Sequence, residues 1–287
     1  MRDARYRSSK LVILMFEKLQ LLNSDKNLRQ TISRDFSTTL LSIGFAKDKA
    51  VIIVEKFFDL LSQSDSTNVL EKTFHEFIFN QKIEASSFKD AFGKLEISRA
   101  ERIYSEIVEF ISFDEKVLDY GCGNALVAQL LTDKNKLNVT GCDVVVYNKK
   151  ETLIPIIKID NYHVDTPDDS FTIGYANSVI HHDLNPEKVI AEISRIVSNK
   201  FILIEDTLQG NDATEIKSHS CRLFINDYFY NRLLNDSDIP VPGEYMKSLE
   251  WINLFSIYGW KLIKQDQLGW SKILPAVFRE RFIFERK

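Results

Sequence analysis

The feature that most constrains the fold of this chain is a short apolar run that ends in an acid and two closely spaced glycines. The run Lys116–Tyr120 contains Asp119 and leads directly into Gly121 and Gly123. An apolar run of this length bounded by glycines predicts a buried strand, and the segment 124–131 predicts a helix. Glycine at both positions allows a sharp turn and lets a ligand approach the main chain closely. The sequence therefore predicts a strand–turn–helix corner that binds a nucleotide.

The glycine spacing separates two classes of ligand. A dinucleotide fingerprint needs glycine or alanine at the sixth position of the motif, where this chain has Leu126. The corner instead has the order acid–x–Gly–x–Gly, and VLDYGCGNA resembles motif I of the class I S-adenosylmethionine (SAM) methyltransferases. The usual third glycine of that family is Ala125 here; because alanine is the smallest replacement, we expect cofactor binding to survive. The resemblance implies SAM as cofactor and S-adenosylhomocysteine as product.

Later segments resemble the same family in the same order. The run 138–143 predicts a second strand, and its terminal Asp143 lies twenty residues beyond Gly123, where such folds place a carboxylate that accepts from the ribose hydroxyls. By the resemblance, Asp119 binds the amino group of the methionine part of SAM, Asp160 accepts from the adenine amino group, and the backbone at Asn161 meets the ring edge. The candidate cofactor-binding residues are Asp119, Gly121, Cys122, Gly123, Asn124, Asp143, Val144, Asp160, Asn161 and Asn177.

The segment 178–187 resembles the family pattern S-x-x-L-H-H-x-x-D-P-E. His181 and His182 stand at the end of a predicted strand and are the candidate catalytic bases, because histidine titrates near neutral pH. Many relatives use this pair as a structural or cofactor-lining element, so that interpretation stays open. Asp206 and His219 are weaker alternatives for the base. No Asn-Pro-Pro-aromatic tetrad follows the strand, which disfavours adenine or glutamine amino groups as acceptors.

Composition and charge exclude several other classes of function. The chain has 287 residues, a net charge of -4 and a pI near 5.8, whereas a general nucleic-acid binder normally carries a basic excess. Its three cysteines form no CxxC pair, so neither a disulfide framework nor a metal site is expected. No apolar stretch is long enough to predict a membrane span. We therefore expect a cytoplasmic protein with no membrane partner, and the acidic charge disfavours a nucleic-acid partner.

The expected architecture is α/β: a Rossmann-like class I methyltransferase fold with a mostly parallel seven-stranded sheet and helices on both faces. Residues 1–98 predict an all-helical region that caps the site or forms a homodimer, 99–287 the SAM-binding domain, and 207–245 a substrate-lid insertion. The polar stretch 35–39 predicts a loop between helices. Arg279, Arg281 and Arg286 alternate with apolar residues, which predicts the solvent face of an edge strand.

The resemblance implies a methyltransferase that acts on oxygen, nitrogen or carbon of a small molecule by in-line displacement. Two alternatives remain open: a catalytically inactive SAM-binding protein with a regulatory or interaction role, and a methyltransferase of protein or RNA. The acceptor itself cannot be inferred from the sequence, because aromatic pockets accept many ligands.

Overall fold

The computed structural model describes residues 9–84, 88–145, 153–235 and 239–287. Within these ranges no helix combines the length and apolarity needed to cross a membrane. The helices are α1 (Ser9–Ser24), α2 (Lys26–Ser42), α3 (Lys47–Gln63), α4 (Thr67–Glu84), α5 (Phe88–Ile107), α6 (Leu126–Asn135), α7 (Pro186–Ile196), α8 (Ala213–Tyr228) and α9 (Ser248–Ile257). The strands are β1 (Lys116–Tyr120), β2 (Asn138–Asp143), β3 (Ile156–Asp160), β4 (His163–Val164), β5 (Phe171–Asn177), β6 (Val197–Asp206), β7 (Trp260–Trp270) and β8 (Phe278–Arg286).

One sheet contains all these strands in the order β4-β3-β2-β1-β5-β6-β8-β7. The strands β3, β2, β1, β5 and β6 are parallel to one another, and β4 and β8 join antiparallel to β3 and β6. Because β1 lies between β2 and β5, the strand order reverses at β1. Ligands of such sheets bind at the carboxyl ends of the strands beside this reversal.

The sheet confirms the expected fold class and differs from the expectation in one strand. In the described part of the chain it has eight strands rather than seven. The additional strand is β4, whose two residues fold back on the end of β3 with Asp160 opposite His163. The connecting Asn161 and Tyr162 have positive φ values of 46° and 71°. The turn and the two-residue strand after it are too short to show a hydrophobic periodicity.

The prediction of an exposed face for the last strand was wrong for two of its three arginines. Arg279 and Arg281 are buried, whereas Arg286 is exposed. The reason is topological: β8 pairs with β6 on one side and lies next to β7 on the other, so it is not an edge strand. Alternation of charged and apolar residues predicts which side chains share a face but not whether that face is covered.

Each face of the sheet is covered by helices through its own apolar cluster. Leu118 and Tyr120 of β1 belong to the cluster that contains Ile190 of α7 and Trp251 of α9. Val117 belongs to the other cluster, together with Ile107 of α5 and Leu131 of α6. Since successive side chains of a strand point to opposite faces, β1 contributes to both cores. The core therefore fixes which side of β1 the acid Asp119 faces, namely that of Val117.

The chain divides into two compact units. The helical unit comprises Met1–Lys94, Leu208–Tyr245 and Trp270–Phe278, and the sheet unit comprises Leu95–Thr207, Met246–Gly269 and Arg279–Lys287. The predicted lid segment 207–245 thus packs in the same unit as the N-terminal helices; its residues 236–238, and residues 1–8 and 85–87 of the N-terminal region, lie outside the described residues. The predicted boundaries and the roles of cap and lid stay predictions.

Within the helical unit, α8 is tied to the N-terminal helices by buried polar contacts. Arg222 of α8 forms a bidentate ion pair with Asp35 of α2, at 2.7 and 2.8 Å. Phe36 stacks on Phe229, with ring centroids 3.6 Å apart. The prediction of a loop at 35–39 was therefore wrong: this stretch lies inside α2, and its polar Asp35 is buried because it has a charged partner.

Candidate cofactor site at the carboxyl ends of the strands

The glycine corner after β1 requires glycine for two different reasons. Gly121 and Gly123 have φ values of 73° and 53°, a region that residues with a Cβ atom rarely adopt. At Gly121 an added Cβ would also lie 2.4 Å from Cγ1 of Val179, whereas at Gly123 it would meet nothing within 4 Å. Gly121 N donates to the carbonyl of Cys142 at 2.8 Å, which fixes the corner against the end of β2.

Ala125 occupies the position where the resembled family has its third glycine. It is buried and left-handed, with φ 56°, directly before the first residue of α6. An alanine in this conformation costs about 1 kcal/mol relative to glycine. The structure thus accommodates the substitution without changing the path of the corner.

Asp143, at the end of β2, is tied back to the glycine corner. One of its carboxylate oxygens accepts from Gly123 N at 2.8 Å and the other from Val145 N at 3.1 Å. Burial raises the pKa of Asp143, and these backbone donors partly oppose the rise. A carboxylate offers about four lone-pair directions, so both oxygens retain capacity for a ligand.

Asp119 is buried within β1, and Tyr175 of β5 is its direct neighbour in the sheet register. Burial raises the pKa of Asp119 to about 7; the nearby Tyr175 hydroxyl opposes this rise and the Asp143 carboxylate adds to it. The Tyr175 hydroxyl lies close to the acid but makes no hydrogen bond of regular geometry with any described residue. Burial therefore shifts this acid toward its neutral form near pH 7.

The other predicted cofactor contacts lie on the same edge of the sheet. Val144 directly follows β2, and Asp160 is the last residue of β3. Both are exposed, as is Asn161. Cys122 is buried in the corner, and the half-buried Asn124 donates from its side chain to Glu96 at 3.2 Å. The structure therefore places the ten candidate residues at the carboxyl ends of β1, β2, β3 and β5 or in the turns after them.

Asn177, at the end of β5, is held by residues that the sequence did not single out as a site. Its side-chain oxygen accepts from Arg279 at 3.0 Å, and Arg279 forms a bidentate ion pair with Glu106 of α5, at 2.8 and 2.7 Å. These three residues are far apart in the chain and carry no local motif. Only the alignment of Arg279 with Asp206 in the register of β6 and β8 brings them together.

His181 is buried in a short 3-10 turn (Ile180–His182) and pairs with Glu205, at the end of β6. The distance between His181 Nδ1 and Glu205 Oε2 is 2.5 Å, and the other oxygen of Glu205 accepts from Val179 N and Ile180 N at 3.1 and 2.7 Å. Burial alone would raise the pKa of Glu205, but His181 and the backbone donor of Ile180 hold it below its ordinary value. The sequence analysis missed Glu205, whose one signal was its position at a strand end beside Asp206.

The remaining base candidates differ in what surrounds them. The half-buried ring of His182 lies 4.1 Å from that of His181, centroid to centroid. Asp206 accepts from the Ser178 hydroxyl at 3.1 Å. In the helical unit, His219 accepts from Gln209 N and contacts the carbonyl of Ala276, both at 2.8 Å. Because both of its ring nitrogens bind the backbone, His219 has a structural role in its own unit.

Comparison with known proteins finds a similarity in the central part of the sheet unit. Residues 118–204 match the family model described as a methyltransferase domain. The 1,6-didemethyltoxoflavin-N1-methyltransferase of Burkholderia thailandensis, solved with 1,6-didemethyltoxoflavin and S-adenosylhomocysteine, is 14% identical over 74% of this chain and 90% of that chain, with a TM-score of 0.50. The MccD protein is 13% identical over 64% of this chain and 96% of that chain, with a TM-score of 0.50. At these identities the likeness establishes the fold. No curated protein matches the chain.

Proposed function

We propose that this protein transfers a methyl group from SAM to a small-molecule acceptor, since its residues 118–204 match the family model described as a methyltransferase domain. The observation that carries the proposal is the corner itself. Two left-handed glycines follow a buried acid, and the acid at the end of the next strand is bonded to the second glycine. This arrangement supports the proposal, because the resembled family binds SAM with acids and glycines in the same order.

The residues at the strand ends fit the parts of this cofactor. Asp119 offers a buried carboxyl group to the cationic amino group, and Asp143 offers lone pairs to the ribose hydroxyls. We assign the exposed Asp160 and the backbone at Asn161 to contacts with adenine, and the turn 121–124 and Val144 to the remaining contacts with the cofactor. A Cβ at Gly121 would collide with Val179, so only glycine lets the corner lie this close to the loop after β5.

Methyl transfer requires little from the protein beyond alignment of the acceptor with the methyl group. Bound SAM supplies an activated methyl group, so the chain must hold the acceptor in line behind that methyl and exclude water. His181 is the proposed base for acceptors that carry a proton. Its Nδ1 contacts the ionised Glu205, which fixes the orientation of the imidazole ring. His182 is the second candidate for the same role.

The first test is calorimetric titration of the folded protein with SAM and, separately, with NAD. We expect binding of SAM alone. The variant Asp143→Asn keeps the size of the side chain but loses its charge, and should weaken SAM binding by roughly tenfold or more, the usual effect of losing a charged hydrogen bond. Asp114→Asn, an exposed acid of the same unit, is the matched control and should bind normally. Folded protein that binds NAD and not SAM would refute the proposal.

A second test distinguishes the acceptor classes. The protein is incubated with SAM and with either the low-mass fraction or the protein and RNA fraction of a cell extract, and formation of S-adenosylhomocysteine is measured. Turnover with the low-mass fraction supports a small-molecule acceptor. Turnover only with the macromolecular fraction supports a protein or RNA methyltransferase. Tight SAM binding without turnover in either fraction supports a regulatory SAM-binding protein.

A further inference from the structure

Two polar side chains in the sheet unit lie side by side on β1 and β5 without a hydrogen bond of regular geometry between them. Asp119 and Tyr175 are paired in the sheet register and are only 5% and 2% exposed. The Tyr175 hydroxyl has no hydrogen-bond partner among the described residues. A buried hydroxyl without a partner costs about 1–3 kcal/mol, which is unusual in the interior of a sheet. The carboxyl group of Asp119 therefore has capacity for a stronger hydrogen bond than its contact with Tyr175 provides.

The groups around Asp119 include no cation. Tyr175 faces it from β5, Asp143 from the end of β2, and the thiols of Cys122 and Cys142 from the corner and β2. Among the described residues, then, the neighbours that act on this acid are neutral or negative. Burial raises the pKa of Asp119 to about 7, and none of the described residues that act on it supplies a positive charge that would oppose this rise.

We propose that Tyr175 positions Asp119 for the ammonium group of SAM, and that the binding of this group expels the proton of Asp119 into solvent. The inference rests on the proposed function and adds two statements to it. Tyr175 is a positioning residue, whose hydroxyl donates to Asp119 once the acid is ionised. Cofactor binding is coupled to proton release.

The proton balance fixes the direction of the pH dependence. Below about pH 7 the free acid carries a proton and free SAM carries an ammonium group; the bound pair is carboxylate and ammonium, so one proton leaves. SAM affinity should therefore fall roughly tenfold for each unit of pH below about 6. Above about pH 8 the free amino group loses its own proton, so binding takes a proton up instead. Affinity is expected to be highest between these limits.

The experiment measures proton release directly. SAM is titrated calorimetrically at pH 6 in two buffers with different ionisation enthalpies, and so is 5′-methylthioadenosine, which has the adenine and ribose but no amino acid part. We expect about one proton released for SAM and about none for methylthioadenosine. Equal release by both ligands would overturn the inference, because it would assign the proton to Asp143 at the ribose.

The role of Tyr175 is tested with Tyr175→Phe, which keeps the buried ring and removes the hydroxyl. The pKa of Asp119 should rise, so SAM affinity should fall roughly three- to tenfold at pH 6 and less than about twofold at pH 8. Tyr104→Phe is the control, since the hydroxyl of Tyr104 donates to Asn135 and does not contact Asp119. An identical pH profile for Tyr175→Phe and the parent would overturn the positioning role.

These outcomes also separate the inference from the function on which it rests. SAM binding without proton release at pH 6 refutes the coupling and leaves the methyltransferase proposal standing. A folded protein that binds SAM at no pH between 6 and 8 refutes both.

Discussion

The ends of β1 and β6 each contain a buried acid in the same unit, and the pKa values of the two acids are shifted in opposite directions. Glu205 accepts from two backbone N–H groups and contacts His181, and its pKa is lowered. Asp119 lies near the Tyr175 hydroxyl, two thiols and a second acid, and burial raises its pKa to about 7. Burial acts in the same direction on both, so the partners decide the result.

The two acids therefore differ in whether the protein itself supplies their binding partners. The chain itself satisfies Glu205, which fixes the loop after β5 in one arrangement. Asp119 lacks a cation, and the proposed cofactor carries one. The region around Glu205 is therefore expected to be structurally complete before any ligand binds, whereas the region around Asp119 gains its stability from the ligand.

The largest expected effect is that of Glu205→Ala. It leaves His181 and the N–H groups of Val179 and Ile180 without their acceptor inside the protein. Breaking a buried pair of this kind lowers the free energy of unfolding by about 3–5 kcal/mol. Urea denaturation at pH 7 measures the loss. The control Glu205→Gln keeps one acceptor oxygen and should lose less; a loss below about 1 kcal/mol in Glu205→Ala would refute the comparison.

The same pair predicts the behaviour of the parent protein in acid. The folded-state pKa of Glu205 is lowered, so its stabilising contribution is complete above the unfolded pKa of about 4.3 and disappears as the pH falls through the folded value. The parent should therefore lose stability on acidification below about pH 4.5. Glu205→Gln should lose less over the same range.

Asp119→Asn should have the opposite sign. A raised folded-state pKa means that the native state holds its proton more tightly than the unfolded chain, so the acid costs stability as the pH rises through about 7. Replacing it should raise the free energy of unfolding by up to about 4 kcal/mol at pH 8 and change little at pH 4. SAM binding should weaken at the same time. Urea denaturation at both values checks this, with Asp114→Asn as control; an equal gain at both would contradict it.

The smallest effect concerns Gly121, where the two regions touch. Its added Cβ would collide with Val179, the residue whose N–H donates to Glu205. Gly121→Ala should therefore cost about 2–3 kcal/mol, from backbone strain and the collision together. Gly123→Ala has the strain alone and should cost about 1 kcal/mol. Equal losses in thermal or urea unfolding would show that Val179 moves aside freely.

Much of the fold could be predicted because its signals are local. The strand at 138–143 was predicted with the bounds that β2 has, and the corner at Gly121 and Gly123 has the left-handed backbone that its glycines indicated. The loop expected at 35–39 failed for a nonlocal reason. Asp35 is polar, but it is buried against Arg222, a residue 187 positions away in the chain. Polarity predicts a loop only where no such partner exists.

The sequence by itself determined the order of the strands other than β4, the nucleotide-binding corner and the acids at the ends of the first three strands, since hydrophobic period and glycine placement act over a few residues. Only the tertiary structure decided that β8 is an interior strand with Arg279 and Arg281 buried, that Glu205 lies against His181, and that Tyr175 lies beside Asp119. The charge of each acid depends on distances between segments that are remote in the chain. That is why the sequence names the acids, and the fold decides which of them carries a proton.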